Sequence, residues 1–240
     1  SEPKNLWPTV NSEGDEASPF FASDGTSLYF ASDGRGGYGA FDIFLTKRLD
    51  STWTNWSEPE NLGPTINSRR WDLYYTIPAR GDYAYYVSYV NTLGAGDIFR
   101  VPLPEKVRPS PVVLVYGTVL NKKTRQPIEA DVAYEDLSTG REIGISRSAP
   151  GTGLYKIILP AGTNYGFRAS APGVVSVSDN LDLTTLDAYA EINRDLYLVP
   201  IEKGQDVTMN NIFFDYAKSI LRDESYSELD RVVQMIQASA

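Results

Sequence analysis

Ser1-Glu2-Pro3-Lys4-Asn5-Leu6-Trp7-Pro8-Thr9-Val10-Asn11-Ser12 returns as Ser57-Glu58-Pro59-Glu60-Asn61-Leu62-Gly63-Pro64-Thr65-Ile66-Asn67-Ser68, with nine of the twelve positions identical at an offset of 56. Further along, Gly39-Ala40-Phe41-Asp42-Ile43-Phe44 matches Gly94-Ala95-Gly96-Asp97-Ile98-Phe99 at an offset of 55. A period of about fifty residues marks a repeat architecture, in which one small unit is used more than once.

The unit reads as β structure. Pro19-Phe20-Phe21-Ala22 predicts a short strand, and the Asp24-Gly25 pair a tight turn. Leu28 to Ser32 is the return strand. Asp33 to Gly39 is a glycine-rich loop, Asp42 to Thr46 a third strand, and the stretch around Trp53 and Trp56 a fourth. Four strands per unit is the pattern of a β-propeller blade. The arrangement W-S-E-P-x-N-L-G-x-x-I-N-S, then P-F-F-x-S-D-G-x-x-L-Y-F-x-S, then G-x-x-D-I-F resembles the TolB-type propeller repeat of bacterial envelope proteins. The second copy departs from it, with Ala79-Arg80-Gly81-Asp82 replacing the Ser-Asp-Gly turn and only three clear strands before a proline-rich stretch. Residues 1–108 are therefore expected to hold about two blades. Two blades cannot close a ring, so further blades are expected upstream of Ser1.

Residues 109–200 change texture. Val112 to Val119 is a buried-strand run. Pro127 to Tyr134 alternates as a half-buried strand, and Gly153 to Pro160 and Tyr165 to Ala169 are two more. Short strands with Gly and Pro turns predict a β-sandwich. The pattern G-T-V-x-x-x-x-T-x-x-P-I-x-A-x-V, later G-x-Y-x-x-x-L-P-A-G-x-x-Y, is similar to the carboxypeptidase-regulatory domain, a transthyretin-like sandwich. The resemblance implies a spacer or docking module and no peptidase activity.

In residues 201–240, Thr208 to Asp215 reads as a strand. A helix follows, with Ser225 and Glu228 spaced as a capping box and Tyr226, Leu229, Val232, Val233 and Ile236 forming an apolar stripe at helical spacing. Asp223 and Glu224 stand where the helix dipole favours negative charge. The run N-I-F-F-D-Y-A-K-S-I-L-R-x-E-S-Y-x-E-L-D-R-V-V resembles the opening of the OmpA-like domain shared with the Pal lipoprotein. The resemblance implies peptidoglycan binding, through an Asp and an Arg of a later motif that lies beyond Ala240. Of that family's ligand-contacting region, Phe214 and Asp215 are present here, either as ligand contacts or merely as the end of a strand.

The chain is thus expected to be mainly β: partial propeller blades, a sandwich, then the start of an α/β OmpA-like domain. Its 42% hydrophobic and 22% charged residues are ordinary for folded protein. It contains no Cys and no His. That removes disulfides, zinc–thiolate sites and thiol nucleophiles, and with them Ser-His-Asp hydrolases and histidine-liganded zinc hydrolases. A net charge of −9 disfavours nucleic acid and anionic lipid as main partners. No run approaches the roughly 18–20 apolar residues of a membrane span, and no signal peptide is visible, so any targeting segment is expected upstream or removed. The Asp33 to Asp42 loop lacks EF-hand spacing and reads as a glycine-rich turn rather than a calcium site; no metal or other cofactor is expected. The 16 Tyr and 4 Trp read chiefly as core and cross-strand packing, with sugar-stacking platforms as the alternative. A glycosidase is the one enzymatic option left, since it needs only two carboxylates.

The order of the three parts resembles envelope proteins of the type IX secretion machinery. It implies a non-catalytic scaffold at the periplasmic face of the outer membrane. The OmpA-like end would hold peptidoglycan, and the propeller and sandwich would meet other envelope or secretion proteins. The alternative is a wall-tethered receptor for glycans or other ligands. The purified chain is expected to turn over no peptide, ester or glycoside substrate. Turnover that a single carboxylate substitution abolishes would overturn this expectation.

Overall fold

The structure is a computed structural model and describes residues 2–175, 177–200, 209, 211–226, 228–230 and 232–233. It is mainly β, with several antiparallel sheets, and it divides into two compact units, Ser1–Val112 and Val113–Ala240.

The first unit begins with a single helical turn, Trp7–Val10, and then forms β1 (Glu16–Phe21), β2 (Ser27–Ser32), β3 (Asp42–Lys47) and β4 (Glu60–Asn61), an antiparallel sheet in chain order. A second antiparallel meander follows, with β5 (Asp72–Thr76), β6 (Tyr83–Ser88) and β7 (Asp97–Pro102). The expected fourth strand around Trp53 and Trp56 is corrected to the two-residue β4. Trp56 only bridges to Arg48 and packs, buried, over the first sheet. Trp53 lies in a turn at φ 65°, with the Arg48 guanidinium 4.4 Å from its ring.

The two copies match in backbone detail. Each first strand bulges at the same place, between Ala17 and Phe20 and between Leu73 and Thr76. Ser18 (φ 51°) and Tyr74 (φ 57°) occupy the left-handed region there, a conformation most side chains avoid and a bulge accommodates. The next turn closes alike, Gly25 N–H to the Ala22 carbonyl and Gly81 N–H to the Pro78 carbonyl. Both glycines lie near φ 70° (70° and 73°), so replacing Ser-Asp-Gly by Ala-Arg-Gly leaves the turn intact. The cross-strand ring pairs recur as well: Phe30–Phe44 at 6.0 Å and Tyr86–Phe99 at 5.9 Å.

The sheets stack face to back. Tyr29, Ile43 and Leu45 of the first sheet share one core with Tyr75, Ala84 and Tyr86 of the second. Tyr29 and Tyr75 lie 5.3 Å apart at the centre. The opposite face of the first sheet, with Leu28, Phe30 and Phe44, is covered by Val10, Trp56 and Leu6. In the second sheet, Tyr85 and Ile98 stand where Tyr29 and Ile43 stand in the first, yet they are 40% and 77% exposed. Likewise Gly39 is packed so tightly by the Ser68 and Arg70 carbonyls that a Cβ would lie 2.3 Å from each, while its counterpart Gly94 faces open space.

The second unit places β8 (Val112–Asn121), β9 (Asp131–Asp136), β10 (Arg141–Arg147), β11 (Leu154–Pro160), β12 (Asn164–Ser170), β13 (Val174–Val175), β14 (Val177–Asp182), β15 (Ala190–Asn193) and β16 (Leu196–Pro200) in two sheets. One runs β10-β9-β12-β14; the other runs β11-β8-β16-β13, with β15 also on β8. β8 pairs in parallel with both β15 and β16, so the second sheet is mixed. Inward residues of both, among them Val113, Val115, Val132, Ile157, Leu159, Phe167 and Leu198, form one core. Period-two burial along β11, where Tyr155, Ile157 and Leu159 are buried and Leu154, Lys156 and Ile158 exposed, follows from strand geometry.

Residues 211–233 belong to this second unit. Thr208 lies outside the described residues. Residues 211–213 are not strand, and Phe214 makes only an isolated bridge to Leu221, correcting the expected strand. The helix is present at residues 226, 228–230 and 232–233 after a 3₁₀ turn, Asp223–Ser225; Ile236 lies outside the described residues. Ser225 is not an N-cap. Its buried hydroxyl accepts from Phe213 N–H at 2.8 Å, and the buried Glu228 carboxylate accepts from the Ser178 hydroxyl at 2.7 Å.

Asn67 supplies a stability test. Its amide accepts from Ile43 N–H (2.7 Å) and donates to the Ile43 carbonyl (2.9 Å) and to Asn61 Oδ1 (2.8 Å). The first-copy counterpart Asn11, half-buried, makes the matching bond to Asn5 Oδ1 at 2.9 Å. Asn67→Ala leaves the buried Ile43 N–H without a partner, while the Ile43 carbonyl keeps its bond from Leu62 N–H at 3.0 Å; it should cost roughly 1–3 kcal/mol, against less than about 1 kcal/mol for Asn11→Ala. All 4 tryptophans (Trp7, Trp53, Trp56, Trp71) lie in the first unit, so urea unfolding followed by tryptophan fluorescence reads this unit alone. Equal losses in the two variants would refute the assigned role.

Candidate functional site

Register places four loops of the first unit, two from each copy, at one end of their sheets. β1 starts, β2 ends and β3 starts at Glu16, Ser32 and Asp42, which are cross-strand neighbours; Asp72, Ser88 and Asp97 repeat that row in the second copy. The acids hold the loops. Glu16 accepts from Ser12 N–H at 3.1 Å and Asp72 from Ser68 N–H at 2.6 Å, the same bond in both copies. Asp42 accepts from Tyr38 N–H and Asp97 from Leu93 N–H, again equivalent. Asp33 accepts from Asp15 N–H at 2.7 Å. The carboxylates of the Asp33 to Asp42 loop are thus engaged in backbone turns. Among the described residues no cluster of three or more Asp, Glu, His or Cys has metal-binding geometry.

On the rim of this end an open depression of about 380 Å³ is lined by Ala40, Arg69, Arg70, Trp71 and Tyr89. Backbone bonds fix its walls: Ala40 N–H to the Arg70 carbonyl at 3.1 Å and Asp72 N–H to the Phe41 carbonyl at 2.9 Å. Trp71, 49% exposed, is met by Phe41 at 71° and by Tyr89 at 66°, ring centroids 5.9 and 5.7 Å away. Among the described residues neither the Arg69 nor the Arg70 guanidinium has an ion-pair partner. None of these four side chains stands out in the sequence alone. The signal that finds them is the repeat itself, because the first copy has Glu13, Gly14, Asp15 and Asp33 at their positions.

Phe214 and Asp215 lie together in a reversal of the second unit. The Phe214–Leu221 bridge and the bond from Arg222 N–H to the Phe213 carbonyl close it. Phe214 is 51% exposed. The Asp215 carboxylate pairs with Lys218 and with Arg222, each at 2.9 Å. It borders a depression of about 400 Å³ lined by Ser138, Lys218, Ile220, Leu221, Arg222 and Asp223. Hydrogen bonds from Lys218 and Arg222 hold its carboxyl below the usual carboxylate range.

No protein-family model matches the chain, and no curated protein matches it. Among solved structures it is similar to hydroxyquinol 1,2-dioxygenase from Pseudomonas putida DLL-E4, with 14% identity and a TM-score of 0.30, covering 38% of this chain and 57% of the enzyme. It is similar also to the group B streptococcus pilus 2b backbone protein, with 9% identity and a TM-score of 0.31, covering 76% of this chain and 81% of the pilin. The Bacillus anthracis TIE protein gives 10% identity and a TM-score of 0.31, covering 72% of this chain and 30% of that one. The chain thus spans 57% of the length of the dioxygenase it matches.

The Asp215 pairing has a titration signature. Because its pKa is lowered, the pairing is present above the ordinary carboxylate range and is lost only as pH falls through the lowered value. Lys218→Ala and Arg222→Ala should each move the Asp215 titration upward, toward an ordinary carboxylate, in a carboxyl-carbon NMR titration. An unmoved titration in both variants would show that the pairs do not form in solution.

Proposed function

We propose that this chain is a non-catalytic part of a bacterial cell-envelope scaffold, acting at the periplasmic face of the outer membrane in a type IX secretion-like machinery. In this reading residues 1–108 are blades of a propeller that meets protein partners, residues 109–200 a carboxypeptidase-regulatory-like spacer, and residues 201–240 the opening of an OmpA-like domain that holds peptidoglycan.

The observation that carries the proposal is that the run from Asn211 to Val233, which resembles an OmpA-like opening, has an exposed Phe214 beside Asp215 on a rim bearing both acid and base. Diaminopimelate offers an ammonium and carboxylates together, so its capture needs fixed groups of both signs. Asp215, already paired with two cations, would assist a clamp formed by the later motif. What supports the propeller is the face-to-back stacking of two equivalent meanders. The Tyr85 and Ile98 face and Gly94 keep the sequence features that, in the first sheet, contact a following sheet. No helix among the described residues is long and apolar enough to cross a membrane. The receptor reading has one observation in its favour, the aromatic and arginine-lined depression of the first unit.

Co-sedimentation with insoluble peptidoglycan tests the anchor. The chain ending at Ala240 should be washed off, and a version extended through the rest of an OmpA-like domain should be retained. Equal retention of both would place the wall contact elsewhere and overturn the assignment.

A further inference from the structure

The repeat provides an internal control. A residue needed to build the loop end should appear in both copies, as the loop-holding acids do: Glu16 with Asp72, and Asp42 with Asp97. Arg69, Arg70, Trp71 and Tyr89 do not recur. Their counterparts Glu13, Gly14, Asp15 and Asp33 differ in size and in the sign of charge. In the first copy Gly14 packs so near Gly34 that a Cβ would lie 2.6 Å from its Cα, so this position has no room for a side chain. In the second copy the corresponding Arg70 lines the depression of about 380 Å³, whose opposite wall is Ala40 of the first sheet's loop.

The chemistry of the opening is specific. An indole half exposed to water, met by its neighbours at 71° and 66°, has no ring stacked parallel on it among the described residues. Such a face attracts the polarised C–H groups of a flat saturated ring. Two guanidiniums at its edge present planar donor forks that match a carboxylate better than any neutral group. Their placement on a chain of net charge −9 is a local reversal of sign. The volume is near the low end of ligand pockets and suits one or two sugar rings.

We propose that Arg69, Arg70, Trp71 and Tyr89 form a binding site for a carboxylate-bearing sugar, with the pyranose face on Trp71 and the carboxylate on the arginines. The site is independent of the wall-anchoring assignment, which concerns the other unit.

Isothermal titration of the intact chain with a uronic-acid disaccharide, its neutral hexose counterpart, AMP and an aspartate-rich peptide tests it. The uronate should bind at least about tenfold more tightly than the neutral sugar, a difference of about 1.4 kcal/mol. It should also weaken as salt rises. Trp71→Ala should weaken uronate and neutral sugar alike by about tenfold. The double variant Arg69→Ala/Arg70→Ala, at exposed positions that leave the fold intact, should erase the preference for the acid while sparing the neutral sugar. Absence of uronate binding, or full binding by either variant, overturns the site. Tighter binding of AMP or of the peptide overturns the sugar assignment in favour of a nucleotide or a protein partner.

Discussion

A single side-chain amide ties the repeat together. Asn67, on the connection between the two sheets of the first unit, bonds both the N–H and the carbonyl of Ile43. Together with Leu62 N–H, which also donates to the Ile43 carbonyl, it continues the outer edge of β3 beyond the two residues that β4 can supply. Through Asn61 it also fixes the turn that begins the connection. Burial gives these bonds their value, since an unpaired backbone group at this position would have no water to turn to. With the connection held, the second sheet starts at a set distance and the Tyr29–Tyr75–Tyr86 aromatic seam can close. Burial drives the Tyr29 and Tyr75 hydroxyls far up in pKa, so they stay neutral and the seam holds no charge.

The two sheets stack face to back rather than face to face. The face of the first sheet that is buried by the second corresponds to the exposed face of the second. A mirror-like pair would bury the same face twice and finish its core, whereas face-to-back stacking always leaves one face of the last unit open. The exposed Ile98 and the open space at Gly94 are the residue-level form of that rule.

Much of this was legible in the residues, and the rest was hidden for definable reasons. The repeated motif, the glycine turns and the alternating apolar runs located β2, β3, β8, β11 and β12 to within a few residues. β10 escaped because it is a sheet edge: Ile143 and Ile145 point to solvent and no buried alternation marks it. β14 is built mostly from polar residues, and β15 is only four residues long and pairs with β8, far back in the chain. The tryptophans at 53 and 56 suggested a strand because aromatic residues favour strands, yet their packing is done from a turn. Ser225 and Glu228 have capping-box spacing, but tertiary partners, Phe213 and Ser178, claim both side chains. Phe214 and Asp215 were singled out by resemblance, while Arg69, Arg70, Trp71 and Tyr89 emerge only when the two copies are laid over each other.

That last contrast has a physical basis. The loops at the strand ends keep their shape through buried or partly buried carboxylates that accept backbone N–H bonds, Glu16 and Asp42 in one copy, Asp72 and Asp97 in the other. Charge-assisted bonds of this kind stabilise a turn whatever side chains stand on its outer surface. The side chains at positions 69–71, between Ser68 and Asp72, are therefore not needed to hold the turn. In the first copy the equivalent positions are Glu13-Gly14-Asp15, packed against a neighbouring loop; in the second they are Arg69-Arg70-Trp71, opened to solvent. A rigid frame that does not depend on its rim is the condition under which one repeat can carry a chemical site that its sister lacks.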